Sequence, residues 1–220
     1  LVYSSGMSMM LPWICLSLAA AFLLLEAEYS DAQPRRAIFK TLASTGFLLT
    51  AISAGALESV YGRAVLIALG LSWLGDVLLL SGSERVFQIG LFCFLAAHIA
   101  YGGAFLASGI KPFAALAMVG FLLPVVVIIV RWLWPHVPGH MRFPVGLYIL
   151  VITGMVALSG GMAALSGRLC VFVAAFIFYL SDLAVARDRF VSPGFVNALW
   201  GLPLYYMAQL LFAYSASLES

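Results

Sequence analysis

Leu71 to Leu80 reads LSWLGDVLLL, an apolar helical run interrupted by one carboxylate, Asp76. A charged Asp near the centre of a bilayer helix costs roughly 2.5–3.5 kcal/mol on insertion scales, so such an acid faces a cavity or a partner and marks function. The run FIFYLSDLAVARDRF, Phe176 to Phe190, repeats the arrangement. There Asp182 follows a small residue and an apolar stretch, as Asp76 follows Gly75, and both helices are expected to end a few residues later. The two acids are read as a pair, and the remaining chain as whatever accommodates them.

Of the 220 residues, 64% are hydrophobic and 9% charged, against about 25% charged in soluble domains. That excludes a soluble globule and implies an all-α, polytopic membrane bundle. At ~20 residues per crossing the length allows eight transmembrane helices and no separate soluble domain. The expected spans are Pro12 to Glu26, Phe39 to Leu57, Ala64 to Leu80, Phe87 to Ala107, Pro112 to Arg131, Phe143 to Leu158, Arg168 to Val185 and Val196 to Tyr214. Breakers separate them at Gln33-Pro34, Gly62, Ser81-Gly82, Lys111-Pro112, Pro135 to Gly139, Gly160-Gly161 and Ser192-Pro193-Gly194. The whole chain, residues 1–220, is expected to be one transmembrane domain. Residues 1–8, LVYSSGMS, carry no fold weight, and disorder or a non-native origin is left open for them. The first span lacks a positively charged lead-in and is read as a retained helix rather than a signal peptide.

Charge reports topology. Arg35, Arg36, Lys40, Arg85, Arg131, Arg142, Arg187 and Arg189 flank alternate connections, while Arg63, Lys111 and Arg168 flank the others. By the positive-inside rule both termini lie outside and the first group is cytoplasmic, in an inner (plasma) membrane if the host is bacterial. Asp76 and Asp182 then share a depth, roughly 6–8 Å inside the cytoplasmic boundary at 1.5 Å per residue. They lie four spans apart, so a weak parallel repeat of helices one to four onto five to eight is a further expectation. The net charge of +2 is small and dispersed, which argues against a nucleic-acid partner. A homodimer is left open.

Other polar residues fall on the same helices. His98 and Tyr101 in FLAAHIAY are three apart and share a helix face, as do Tyr205 or Tyr206 with Gln209 in YYMAQLL. Asn197 opens the last helix, and Lys40 opens the second at the level of the acids. These residues are expected to form a funnel, with the acids and Lys40 near its mouth and His98, Tyr101, Tyr205, Tyr206 and Gln209 deeper. Snorkelling accounts equally well for Lys40, and interhelical hydrogen bonding for the rest. No metal is expected, because Pro138 and Gly139 disrupt the spacing of His136 and His140. Cys15, Cys93 and Cys170 are isolated apolar thiols. No serine carries a nucleophile signature. The five tryptophans suit interfacial or packing positions.

Two carboxyl groups approaching each other in a dry cavity cannot both ionise cheaply, so one keeps a proton while its partner stays charged. That suits hydrolysis through an oxocarbenium ion, with one acid donating a proton and the other directing water. Lys40, LSWLGDVLLL, FLAAHIAY, FYLSDLAVARDRF and YYMAQLL together resemble the YhhN-like lysoplasmalogenase family of integral membrane proteins. The resemblance implies hydrolysis of the vinyl ether of a lysophospholipid to a fatty aldehyde and glycerophosphoethanolamine or glycerophosphocholine, without a cofactor. It places the family's two intramembrane acids, read as catalytic, at Asp76 and Asp182. For substrate binding the residues themselves suggest Lys40 or a nearby Arg at the phosphate, with Asn197 at the entry of the last helix and His98, Tyr101, Tyr205, Tyr206 and Gln209 lining the deeper cavity. One departure is Phe39-Lys40-Thr41, where the family pattern implies Pro after Lys. The rival expectation is a proton-coupled lipid or small-solute transporter using the same acids, and a third is a structural lipid-binding membrane protein.

Overall fold

The computed structural model describes residues 2–218, with side chains from residue 6. Its eight long helices are α1 (Val2–Tyr29), α2 (Gln33–Ser53), α3 (Val60–Leu78), α4 (Glu84–Ala107), α5 (Pro112–Leu133), α6 (Arg142–Ser166), α7 (Leu169–Ala186) and α8 (Phe195–Ser215). Short turns join or close them, including a five-residue π-helical turn at Arg187–Val191. Among the described residues there is no strand. Residues 2–8 continue α1, while residue 1 lies outside the described residues.

Seven of the eight helices are long and apolar enough to cross a membrane, and the chain is a multi-pass membrane protein. The exception is α2, expected as a span, which carries Arg35, Arg36, Lys40 and a run of hydroxyl residues. Its polarity is explained by its position. It packs between α1, α3 and α8, so Ser44 and Thr50 are buried against protein rather than lipid. There Ser17 donates to the Ala43 carbonyl at 2.8 Å. Helix α5 is the opposite case. Its buried residues Ala115, Leu122, Ile129 and Leu133 form one stripe, and Phe113, Leu116, Phe121 and Ile128 are exposed, as suits a helix with lipid on its other faces.

The packing order is a ring, α2–α3–α4–α6–α7–α8 and back to α2, with α1 outside against α2 and α8, and α5 outside against α6. Shifting each helix by four maps the principal neighbours onto one another: α1 with α2 onto α5 with α6, α2 with α3 onto α6 with α7, α3 with α4 onto α7 with α8, and α2 with α8 onto α6 with α4. The shift is incomplete, since α1 and α3 both touch α8 without equally close packing of α5 and α7 on α4, so the packing goes only part of the way toward the weak parallel repeat.

Several expected boundaries are corrected: α2 begins at Gln33, so Lys40 lies within it rather than at its start, and Gly62 lies inside α3 rather than before it. Gly160-Gly161 do not end the sixth helix, which continues to Ser166. It stops at Gly167, whose φ of 75° only glycine adopts without strain, with its N–H bonded to the Ala163 carbonyl at 2.8 Å. The two inner glycines let α5 approach instead. A Cβ on Gly161 would lie 2.9 Å from Ala115 Cβ, and the Gly161 carbonyl accepts from Lys111 N–H at 3.0 Å.

Close approach also fixes α1 on α2, where a Cβ on Gly46 would sit 2.7 Å from Ser17 Cβ and 2.9 Å from its backbone. Backbone cannot swing aside as a side-chain tip can. Gly46→Val is therefore expected to destabilise the bundle by about 1–3 kcal/mol through overpacking. A lower thermal unfolding midpoint in detergent would show it, and an unchanged midpoint would contradict this packing.

Candidate active site

The polar residues converge at the end of the bundle where the α1–α2, α3–α4, α5–α6 and α7–α8 connections lie. A cavity of about 600 Å³ opens there, lined by Lys40, Asp76, Phe94, Tyr148, Asp182 and Tyr205 among others. Its rim carries Glu28, Asp31, Arg36, Asp188 and Arg189, and one side is apolar, made by Leu91, Ile129, Leu133, Val145, Ile149 and Ile152. Beneath it Tyr101, Phe105, Phe178 and Phe212 are fully buried, with Tyr101 stacked on Phe212 at 4.1 Å.

Asp76 sits in the last turn of α3 and is 2% exposed. Its Oδ2 accepts from Ser44 Oγ of α2 and from Tyr205 OH of α8, each at 2.6 Å. Its Oδ1 lies 3.5 Å from Lys40 Nζ. The neighbouring Gly75 makes room for Phe94, since a Cβ there would fall 2.6 Å from the ring. Tyr206 backs this cluster, with its hydroxyl 3.4 Å from Ser44 Oγ and donating to the Lys40 carbonyl at 3.4 Å.

Asp182 on α7 has a different set. Its Oδ2 accepts from Tyr148 OH of α6 at 2.7 Å and lies 3.4 Å from His98 Nε2 of α4. The imidazole stacks on Phe178 at 4.5 Å and meets Tyr148 edge-on at 5.3 Å. Small residues again let the next helix close in, as a Cβ on Gly201 of α8 would be 2.5 Å from Ala184 Cβ. Among the described residues no hydrogen bond joins the two carboxylates. Both line one cavity, and each is bonded by its own set of partners.

Of the expected site residues, Lys40, Asp76, Asp182, Asn197 and Tyr205 line the cavity, while His98, Tyr101, Tyr206 and Gln209 do not. The expected deep funnel is thus cut short. Tyr101 donates to Gln209 Oε1 at 2.7 Å inside the aromatic layer, and Gln209 is fully buried. Asn197 is committed to the turn before α8. It donates to Asp188 Oδ1 and to the Ser192 carbonyl, both at 2.8 Å, and accepts from Arg187. Neither of its amide hydrogens is left for a ligand.

Sequence reasoning missed Ser44, Tyr148, Arg36 and Arg189 as members of the site. Ser44 lies one turn from Lys40 on α2 and could have been found by that spacing. Tyr148 stands in an unbroken apolar run and gives no such signal. At the rim Arg36 is paired with Glu28 at 3.1 Å and Asp31 at 2.7 Å. Arg189 instead lies over the Phe87 ring at 4.3 Å and has no carboxylate partner among the described residues. No group of three or more His, Cys, Asp or Glu among the described residues is placed to hold a metal. His140 Nε2 lies 3.3 Å from Glu84 Oε1 at the exposed end, away from His98.

Residues 35–216 match the family model of the YhhN family. The chain is also similar to the lysoplasmalogenase TMEM86A of Bos taurus, at 31% identity over 179 residues, covering 78% of this chain and 69% of that protein. The Homo sapiens lysoplasmalogenase TMEM86A is 29% identical over 178 residues, with the same coverage. No solved structure matches the chain.

The Lys40–Asp76 pair is nearly dry, with side chains 14% and 3% exposed. Removing one partner leaves a buried charge, so Lys40→Met is expected to lose about 3–5 kcal/mol of stability. The double variant Lys40→Met with Asp76→Asn should recover part of that loss. Thermal unfolding of the three proteins checks it, and strictly additive effects would mean that the two groups do not interact.

Proposed function

The chain belongs to the YhhN family, and from that membership and the shape of its cavity we propose that it is a membrane-embedded hydrolase of lysoplasmalogens. It cleaves the vinyl ether bond to give a fatty aldehyde and glycerophosphoethanolamine or glycerophosphocholine. The observation that carries the reading is one cavity, open at a single end of the bundle, that combines two carboxyl groups with an apolar side and a cationic rim. An amphiphile with one chain fits that division. Its phosphate meets Arg189, Arg36 and Lys40, its chain lies along Leu91, Ile129, Leu133 and Ile152, and its ether bond reaches the depth of Asp76 and Asp182. The cavity mouth is cytoplasmic on this reading, since the connections around it hold most of the Arg and Lys residues. A transporter would need a route onward through the layer beneath the cavity, where Tyr101, Phe105, Phe178 and Phe212 are packed without exposure.

The chemistry needs a proton delivered to carbon. One carboxyl protonates the vinyl carbon remote from the ether oxygen, and the oxygen lone pair stabilises the resulting oxocarbenium ion. The other carboxylate offsets that cation and directs water to it, giving a hemiacetal that collapses to aldehyde and alcohol. Water supplies the aldehyde oxygen, one hydrogen on the new methylene and the hydrogen of the released hydroxyl. No metal or nucleophilic serine is required.

Two outcomes are expected. Asp76→Asn and Asp182→Asn, each folded in detergent, should release aldehyde about 10²–10⁴-fold more slowly than the parent. In short reactions in deuterated water, the parent product should carry one deuterium beside the aldehyde carbon. Parent-rate release by both variants would end the mechanism. Arg189→Ala should raise KM about tenfold or more with less effect on kcat, because a hydrogen bond to a charged group is worth about 1.5–3 kcal/mol. Steady-state kinetics with a lysoplasmalogen decides this, and an unchanged KM would remove Arg189 from headgroup recognition.

A further inference from the structure

The two acids are not equivalent, and the difference lies in what faces them. His98 Nδ1 is 2.6 Å from the Phe94 carbonyl oxygen. A carbonyl only accepts, so Nδ1 carries the hydrogen, and in a neutral ring Nε2 is then a bare lone pair. That Nε2 is buried without a hydrogen-bond partner and lies 3.4 Å from Asp182 Oδ2. A lone pair held against a carboxylate in a dry interior is repulsive. The arrangement is stable when the pair contains one additional proton, as a neutral carboxyl beside imidazole or as imidazolium beside carboxylate. Around this pair stand Tyr148 from α6, Phe178 from α7 itself and the Phe94 carbonyl from α4, and among the described residues no Lys or Arg is paired with Asp182. Asp76 is the reverse case. It receives two hydroxyl hydrogens and faces an ammonium, an environment of donors that suits a carboxylate.

Resting on the hydrolase reading above, we infer that Asp182 is the general acid, that its transferable proton is held jointly with His98, and that Asp76 is the carboxylate that directs water. His98 does not line the cavity, so it acts through Asp182 as a positioning residue. In the first step the carbon–carbon π pair forms the new C–H bond with the Asp182 proton, and the ether oxygen becomes the oxocarbenium oxygen. Water then bonds to the cationic carbon and gives a proton to Asp76. As the hemiacetal collapses, the bond to the glycerol oxygen breaks and that oxygen takes the proton from Asp76. The hemiacetal hydroxyl proton returns to the Asp182–His98 pair, which is restored with Asp76 again charged.

The test is His98→Asn, whose amide nitrogen replaces Nδ1 as donor to the Phe94 carbonyl but leaves nothing at Nε2. His98→Gln, which puts an amide at the Nε2 position instead, guards against a packing artefact. Both should unfold near the parent midpoint, lose at least tenfold in kcat at neutral pH and change KM little. The alkaline limb of the rate profile should move to lower pH, because the proton that activity requires leaves more readily once Nε2 is gone. Infrared pH titration reads the proton without turnover. The parent should show a neutral-carboxyl or imidazolium band that Asp182→Asn abolishes, His98→Asn shifts and Asp76→Asn leaves in place. Parent-like kinetics in His98→Asn, or a proton band lost in Asp76→Asn instead, would overturn the assignment. If the parent releases no aldehyde, the hydrolase reading fails, and the infrared bands still decide where the proton lies.

Discussion

A carboxyl group buried in a bundle whose outer face meets lipid must find donors inside the protein, because an unpaired polar group there costs several kcal/mol. This chain meets that requirement twice in the same way. Asp76 on α3 is bonded from α2 and α8, and Asp182 on α7 is bonded from α6 and approached by α4. Each acid therefore takes partners from the helix before it, two for Asp76 and one for Asp182, and one more from the other half of the chain. Those cross-half partners lie on α4 and α8, and both halves contribute to one cavity. The four-helix shift that relates the packing also relates the partners of the acids, so the site and the ring have one geometric origin.

Within that symmetry the chemistry has diverged. Where α2 brings Lys40 and Ser44 to Asp76, α6 brings the phenol of Tyr148 to Asp182. Where α8 brings Tyr205, α4 brings an imidazole. The aromatic rings of Phe94, Phe178 and Tyr205 stand in contact with one another, with centroids 5.7 to 6.5 Å apart. A direct contact between the acids would make them titrate as one unit. Separate partner sets let one be a donor and the other an acceptor in a common cavity, which is what the proposed protonation of an alkene and hydration of the cation would both demand.

What the sequence disclosed follows from cost. Asp76, Asp182 and Lys40 are expensive in apolar helices, so their placement at one cavity could be anticipated from residue type alone. So could eight helices, from the spacing of apolar runs. Glycine was harder, since Gly160-Gly161 carry the mark of a turn and instead serve close packing of α5 on α6. Neutral polar residues were ambiguous for a related reason. Asn197 and Tyr101 look like ligands on a helical wheel, yet Asn197 spends its amide on the turn before α8 and Tyr101 donates to Gln209 inside the aromatic layer. Tyr148 and Arg189 escaped because a phenol or a helix-end Arg is inexpensive at many positions, and only packing reveals which cavity it faces.

The peripheral helix α5 bears on how a single-chain lipid reaches such a cavity. It joins the ring mainly through α6, leaning also on the Arg187–Val191 turn, and it contributes Ile129 and Leu133 to the apolar side of the cavity. Its remaining faces are apolar and exposed, as suits contact with lipid. A chain leaving the bilayer past α5 would thus exchange one hydrocarbon environment for another, at little cost in apolar exposure. The headgroup has no such option. It must stay at the rim, where Arg36 is already neutralised by Glu28 and Asp31 and Arg189 rests on a phenyl ring. Of these two, Arg189 can turn to a phosphate without breaking an ion pair, so on the proposed reading the rim would fix the depth of the molecule and the apolar side its direction. The bond between them would then be carried to the carboxyl groups without either acid having to move.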